Sequence, residues 1–305
     1  MHEFTTVAAG LRFPEGPVAM PDGSVLLVEI ALGRVTRVLP DGATETVAEP
    51  AGGPNGLALG PDGKLYCCNN GGFRWAELGG LTIPHGQPDE YEGGRIERID
   101  LATGRIETLY GSGDFDCTLR GPNDLVFDGH GGFWFTDHVK TRPRERDVTG
   151  IFYASADGSS LREVIFPSEN PNGIGLPPDG RRLYAAETFT CRLRAFDVTA
   201  PGEVDRTPAL GGPGQPLYGP GGYKFFDSLA VEENGNICVA TIGECGISVV
   251  SPEGELVDFV PTDDPFTTNI CFGGPDMRDA YITLSGTGRL VKCRWPRPGL
   301  RLAHQ

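Results

Sequence analysis

Short apolar runs separated by Asp-Gly, Thr-Gly and Pro-Asp-Gly turns fill the chain from end to end, and no long segment shows a helical period. The runs come in sets. Phe13-Pro14-Glu15-Gly16-Pro17 opens an apolar strand that leads through a PDG turn into a second apolar strand, Ser24 to Glu29, and this phrase is written six times. The other copies are GPNGLALGPDGKLYCCNN from Gly53, GPNDLVFDGHGGFWFTDH from Gly121, NPNGIGLPPDGRRLYAAET from Asn170, FFDSLAVEENGNICVATI from Phe225 and TTNICFGGPDMRDAYITLS from Thr267. A second pair of alternating strands follows each copy, as in GRVTRVLPDGATETVA, GRIERIDLATGRIETLY and GISVVSPEGELVDFVP. In the fourth set the pair reads CRLRAFDVTAPGEVDRTPAL. Four antiparallel strands per unit, at roughly the 40–50 residues of a propeller blade, predict an all-β chain folded as a six-bladed β-propeller in a single domain, 1–305. The N-terminal Phe4 to Ala9 resembles a fourth strand and is expected to pair into the last blade, closing the ring and covering its open edge.

Aligning the six phrases produces one column of oxygen-bearing side chains: Glu15, Asn55, Asn123, Asn172, Asp227 and Asn269. Asn or Asp before Gly is ordinary turn chemistry. That explanation covers Glu15, Asn55 and Asn172; Asn123, Asp227 and Asn269 precede Asp, Ser and Ile. In a propeller the first strand of every blade lines the central channel and all run the same way, so the column converges on one mouth. Long connections on that face would build a pocket wall. They are 69–92, with Phe73, Trp75 and His85; 111–120; 138–149; and 208–225, with Tyr218 and Tyr223. Glu15 and Asp227 facing each other would repel, and a divalent cation removes the conflict. Oxygen donors without Cys or His select Ca²⁺, Mg²⁺ or Mn²⁺ over structural zinc. Fewer than six side chains can close on one ion, which leaves room for water and substrate.

Composition narrows the class. The chain has 305 residues, of which 39% are apolar, with 45 Gly and 26 Pro that punctuate the apolar runs as turns. A net charge of −15 and the absence of a basic stripe argue against nucleic-acid binding. No run reaches the roughly 18 apolar residues of a membrane span, and MHEFTTVAAG lacks the basic start and apolar core of a signal peptide. A soluble cytoplasmic protein, monomer or small homo-oligomer, without membrane partners, is the expectation. The eight Cys include no CxxC pair, and several lie inside apolar runs as small hydrophobes, so neither disulfides nor zinc are expected.

FPEGP near the start, PNGI followed by PPDG mid-chain and the later FDSLAVEENGN resemble the family of senescence marker protein (regucalcin), gluconolactonase and luciferin-regenerating enzyme. The resemblance covers nearly the whole chain. It implies a six-bladed propeller with one catalytic divalent ion, Ca²⁺ first, with Mg²⁺, Mn²⁺, Zn²⁺ and Fe²⁺ as alternatives. It also implies hydrolysis of a small-molecule lactone, such as gluconolactone or a related aldonolactone. By motif, Glu15, Asn172 and Asp227 match the family's metal ligands, and Asn123 matches a position that binds metal or substrate. Arg120 resembles a substrate-contacting arginine, although the Arg-Gly-Pro-Asn spacing departs from the animal members. Asn55 and Asn269 have no firm family role and are expected beside the pocket or behind the ligands. Trp75 and Tyr223 are expected to contact substrate from the rim.

The chemistry this implies is metal-assisted opening of a cyclic ester by water. Asp227 would accept the proton as general base, or the proton would pass through an ion-bound water. His85 and His138 are reserve candidates on rim loops. Asp137, at the end of FTDH, is expected to serve as a structural hydrogen-bond acceptor. Ser228 lies in FDSLA without flanking glycines, so it is no nucleophile elbow and is expected in the pocket wall or beside a ligand. The Gly-rich 211–222 lacks the Lys and Ser/Thr of a phosphate cradle. Two other readings stay open: the same metal site acting on a phosphotriester or on a lactone without hydrolysis, and a propeller that binds a small molecule without catalysis.

Overall fold

Six antiparallel sheets, each carrying its strands in the order they leave the channel, stand side by side in a ring. The computed structural model describes residues 3–207 and 214–305. The innermost strands are Pro14–Ala19, Pro54–Leu59, Pro122–Phe127, Pro171–Gly175, Phe225–Val231 and Thr267–Gly273. Each touches the next, and Thr267–Gly273 touches Pro14–Ala19, so the ring closes at six blades. As expected from its pattern, the N-terminal strand Thr5–Ala9 supplies the outer strand of blade six, with Thr5 opposite Lys292 and Ala9 opposite Arg289.

The apolar runs exist because a blade is covered on both faces. Leu65, Tyr66, Cys67 and Cys68 are all fully buried in one strand. Successive side chains point to opposite faces. Leu65 and Cys67 therefore pack with blade one, while Tyr66 and Cys68 pack with blade three. Repeating this at every interface produces six core clusters, one between each pair of adjacent blades, including the pair that closes the ring. All eight cysteines are free, and burial raises the thiol pKa of Cys67, Cys68 and Cys238 far above its usual range.

Two segments differ from the sequence expectation. The connection 69–92 is not irregular: it holds the hairpin Arg74–Leu78 with Leu81–His85, which stands over the channel mouth. In blade four the outer strand is split. Glu203–Val204 pairs only with the far end of Arg192–Ala200, whereas Gln215–Tyr218, read from the sequence as loop, pairs with its start. The first third of the expected loop, 208–213, lies outside the described residues. The hairpin signal in DVTAPGEV was satisfied locally, and periodicity cannot reveal a strand that resumes after an insertion. At the opposite end of the channel, the last residues cross the ends of three inner strands: Leu300 donates to Val231 O, and Gln305 Nε2 to Phe272 O and Ala19 O. Among the described residues no helix is long and apolar enough to cross a membrane.

Candidate active site

Every inner strand loses register with its neighbour at the same place. The ladder is interrupted between Glu15 and Val18, Pro54 and Leu57, Pro122 and Leu125, Pro171 and Ile174, Phe226 and Leu229, and Thr267 and Asn269. A bulge re-aims the side chain it contains. The six column residues sit in or beside these six bulges. The glycines that follow three of them serve close packing rather than turns, because Asn55-Gly56 and Asn172-Gly173 lie inside strands. A Cβ on Gly16 would stand 2.2 Å from Asn55 O, one on Gly56 2.5 Å from Asn123 O, and one on Gly173 2.7 Å from Ser228 Cα. The bare glycines let adjacent bulges approach and draw the column together.

Five of the six, Glu15, Asn55, Asn123, Asn172 and Asp227, line a cavity of about 380 Å³ at this mouth. Glu15 is buried, and its Oε2 accepts from Gly16 N and from Asn269 Nδ2, each at 2.8 Å. Asn269 itself faces the channel below this cavity, so it reaches the site through Glu15. Asn172 donates to Thr188 Oγ1 at 3.2 Å, accepts from Ser228 Oγ at 3.4 Å, and hydrogen-bonds Asp227. Asn123 Oδ1 is buried and has no partner.

Burial is the largest cause that raises the Glu15 carboxyl, and it is opposed by the bonds from Asn269, Gly16 and Thr268. Asp227 is pushed well above the usual carboxylate range, first by burial and then by the negative charge of Glu15. Asp124, next to Asn123, is pushed up to about 7 by burial and by Glu15. Three carboxyls are thus crowded into a low-dielectric space, a state that a proton or a bound cation must relieve.

Among the described residues no group of three or more His, Cys, Asp or Glu side chains could hold an ion by themselves. An ion at this mouth has to take amide oxygens beside the carboxylates of Glu15 and Asp227. The unpartnered Asn123 Oδ1 is such an oxygen, buried in a residue that lines the cavity, so the donor set fits a hard divalent cation.

The wall above the floor is largely aromatic, with Phe13, Phe73, Phe189, Phe225 and Phe266. Two titratable groups interrupt it. His138 places Nδ1 3.3 Å from Pro171 O, and burial holds its pKa down at about 4, so the ring is neutral and a weak base at pH 7. Lys140, indistinguishable by sequence from its charged neighbours, is only 1% exposed. Its ammonium donates to Gly72 O at 2.7 Å and Asn70 Oδ1 at 3.2 Å, and sits 4.3 Å from the Phe73 ring centre.

Other expected site residues stand back from the cavity. Arg120 is exposed, with Nε 4.0 Å from Asp147. Trp75 lies behind the wall, its ring 5.1 Å from Phe13 and 6.0 Å from Phe73. Tyr223 is 88% exposed and meets the site only through Phe225, 4.9 Å away. His85 is exposed on the hairpin. Ser228 is buried beneath Asn172. Asp137 accepts from the backbone of Arg120 and Gly121, at 2.9 and 2.6 Å, as a structural clamp. Glu29, Asn69 and Glu187, at the ends of the corresponding second strands, bind the backbone of Arg12, Gly53 and Glu169 in the same way. This clamp fixes the segment that enters each inner strand, and therefore the height of each column residue.

Residues 13–286 match the family described as SMP-30/Gluconolactonase/LRE-like region. A gluconolactonase of Zymomonas mobilis is 24% identical, over 94% of this chain and 80% of that protein. The structure of a gluconolactonase from Xanthomonas campestris superposes with a TM-score of 0.75 at 20% identity, over 97% of this chain and 90% of the other. That of a calcium-binding protein, regucalcin, from Agrobacterium tumefaciens gives 0.70 at 20% identity, over 96% and 95%.

Proposed function

The chain belongs to the SMP-30/gluconolactonase/LRE-like family, and we propose that it is a divalent-metal-dependent lactonase that opens a small cyclic ester with water. The relatives named gluconolactonase support the reaction class, and the calcium-binding neighbour supports a divalent ion. One observation carries the reading: two crowded carboxylates and an unpartnered amide oxygen share the floor of an open cavity. A binding module with no cation would have no use for a buried Glu15 that raises the pKa of Asp227 beside it.

In this reading Glu15, Asn123, Asn172 and Asp227 hold the ion. When bound, it supplies Lewis-acid polarisation of the ester carbonyl. Asn269 and Gly16 fix the Glu15 carboxylate from behind, while Thr188 and Ser228 orient the Asn172 amide. Asp227 takes the proton of the attacking water as it adds to the carbonyl carbon, then returns it to the departing ring oxygen as the C–O bond breaks. Lactone and water become one hydroxy acid, and the carboxylate is regenerated. The aromatic wall limits the water that reaches the floor, which strengthens every charge interaction there.

The test is an assay of the purified chain on gluconolactone and a phosphotriester, before and after chelation and with Ca²⁺, Mg²⁺, Mn²⁺ or Zn²⁺ restored. Lactone opening that vanishes with chelator and returns with a divalent ion is expected. Lactone opening untouched by chelation removes the metal, and preferential phosphotriester cleavage changes the substrate.

A further inference from the structure

We infer that the cavity takes lactones carrying an alkyl or aryl substituent rather than polyhydroxylated sugar lactones. This rests on the lactonase reading and names its substrate class.

A sugar lactone presents a hydroxyl at almost every ring carbon, and each loses water on entering a closed site. Such a ligand needs wall donors and acceptors, because a desolvated hydroxyl without a partner disfavours binding. The polar groups that interrupt this wall are few, and part of their hydrogen-bonding capacity is already engaged. Thr188 Oγ1 accepts from Asn172, and His138 Nδ1 faces Pro171 O. The Lys140 ammonium is bonded to Asn70 and Gly72 between the rings of Phe73 and Tyr91. With Lys140 only 1% exposed and its ammonium so held, it presents little polar surface to the cavity.

Most of what remains free on the wall is apolar. Phe13, Phe266, Ile30 and Ile242 line it, and Phe73 faces it from the hairpin side. At the outer edge Phe189 and Phe225 pack edge to face with ring centres 6.0 Å apart, and Phe189 remains 44% exposed. An aromatic shelf, with the Arg146 guanidinium 4.2 Å over the Phe189 ring, continues into a largely apolar wall above a polar floor, and it suits a ligand with a cyclic ester head and a hydrocarbon tail. The head meets Glu15, Asn123 and Asp227; the tail lies along Phe189, Phe225 and Phe73.

The experiment compares γ-valerolactone, γ-octalactone and δ-gluconolactone on the full chain in calcium buffer. It is paired with calorimetric binding of two lactams that cannot be hydrolysed in the assay, 5-methyl- and 5-butyl-2-pyrrolidinone. Each added methylene should raise kcat/KM and lactam affinity about threefold to fourfold, roughly 30-fold or more over three. Phe189→Ser should flatten that gradient in both measurements. Gluconolactone turned over better than γ-octalactone overturns the inference and leaves the lactonase reading standing. If no lactone is opened, the lactonase reading fails. The lactams then decide alone: tighter binding of the butyl form, lost in Phe189→Ser, supports an apolar site, and equal or absent binding overturns it.

Discussion

Asn269 Nδ2 donates a 2.8 Å hydrogen bond to Glu15 Oε2, joining the first blade to the last across 254 positions of sequence. The bond fixes one oxygen of a buried carboxylate where ring closure brings the first and last blades together. Supporting bonds of this kind are worth about 10–100-fold in metal affinity. Asn269→Leu should therefore weaken Ca²⁺ binding by roughly that factor while the circular-dichroism spectrum stays that of the parent. Glu15→Gln should weaken it further. Calorimetric titration reads both, and unchanged affinity in Glu15→Gln would remove Glu15 from the ion site.

Asp227 carries two assignments, ligand and proton acceptor, and its amide cannot accept the proton. Asp227→Asn keeps size and a carbonyl oxygen. It should lower kcat by about 10²–10⁴ or more, with the melting temperature held or raised because a buried charge beside Glu15 is gone. Activity within a few-fold of the parent would exclude Asp227 as the base.

The ring and its column were legible because both are written in local repeats. Alternation fixes which face each side chain takes, and six copies of one phrase fix the blade count. The fit of Asn55-Gly56 and Asn172-Gly173 to turn chemistry was the misleading part. Those pairs sit in strand bulges, and their glycines answer to a neighbouring blade more than forty residues away in the chain. Lys140 was illegible for a similar reason. The pattern places 138–149 on the pocket wall without distinguishing among its cations, and the insertion carrying Asn70 and Phe73 is what buries Lys140. Trp75 stood out by type alone, yet Phe13 and Phe73 stand between it and the cavity.

The close approach at Gly56 is testable against a glycine that touches nothing. A Cβ there would lie 2.5 Å from Asn123 O and 2.6 Å from Asp124 Cα, both backbone atoms that cannot swing away. Gly129, in a turn at the other end of the blade, has nothing within 4 Å. Gly56→Ala should cost about 1–3 kcal/mol in chemical denaturation and shift Asn123, whereas Gly129→Ala should stay within about 0.5 kcal/mol. Equal, small effects would mean the bulges are looser than this packing requires.

Lys140 sets a pH dependence whose sign is fixed. Burial lowers its pKa from the usual 10.5 to about 7, against the opposing pull of Asp137 and Asp147. Between those two values the unfolded chain binds a proton that the folded chain lacks, so stability rises with pH across the window. The contribution is complete above about 10.5 and is lost as pH falls to about 7. Lys140→Met keeps the stem against Phe73 and removes the titration. Its stability relative to the parent should be most favourable near pH 7 and should decline towards pH 10. The decline should be at most about 1.4 kcal/mol per pH unit. Asp137, itself raised to about 7 by burial, titrates at the lower edge of that window and is common to both proteins. Denaturation at pH 7, 8, 9 and 10 reads the slope directly. A difference between the two proteins that does not change with pH would show that Lys140 keeps an ordinary pKa and that its ammonium is better solvated than its enclosure by Phe73, Tyr91 and Gly72 implies.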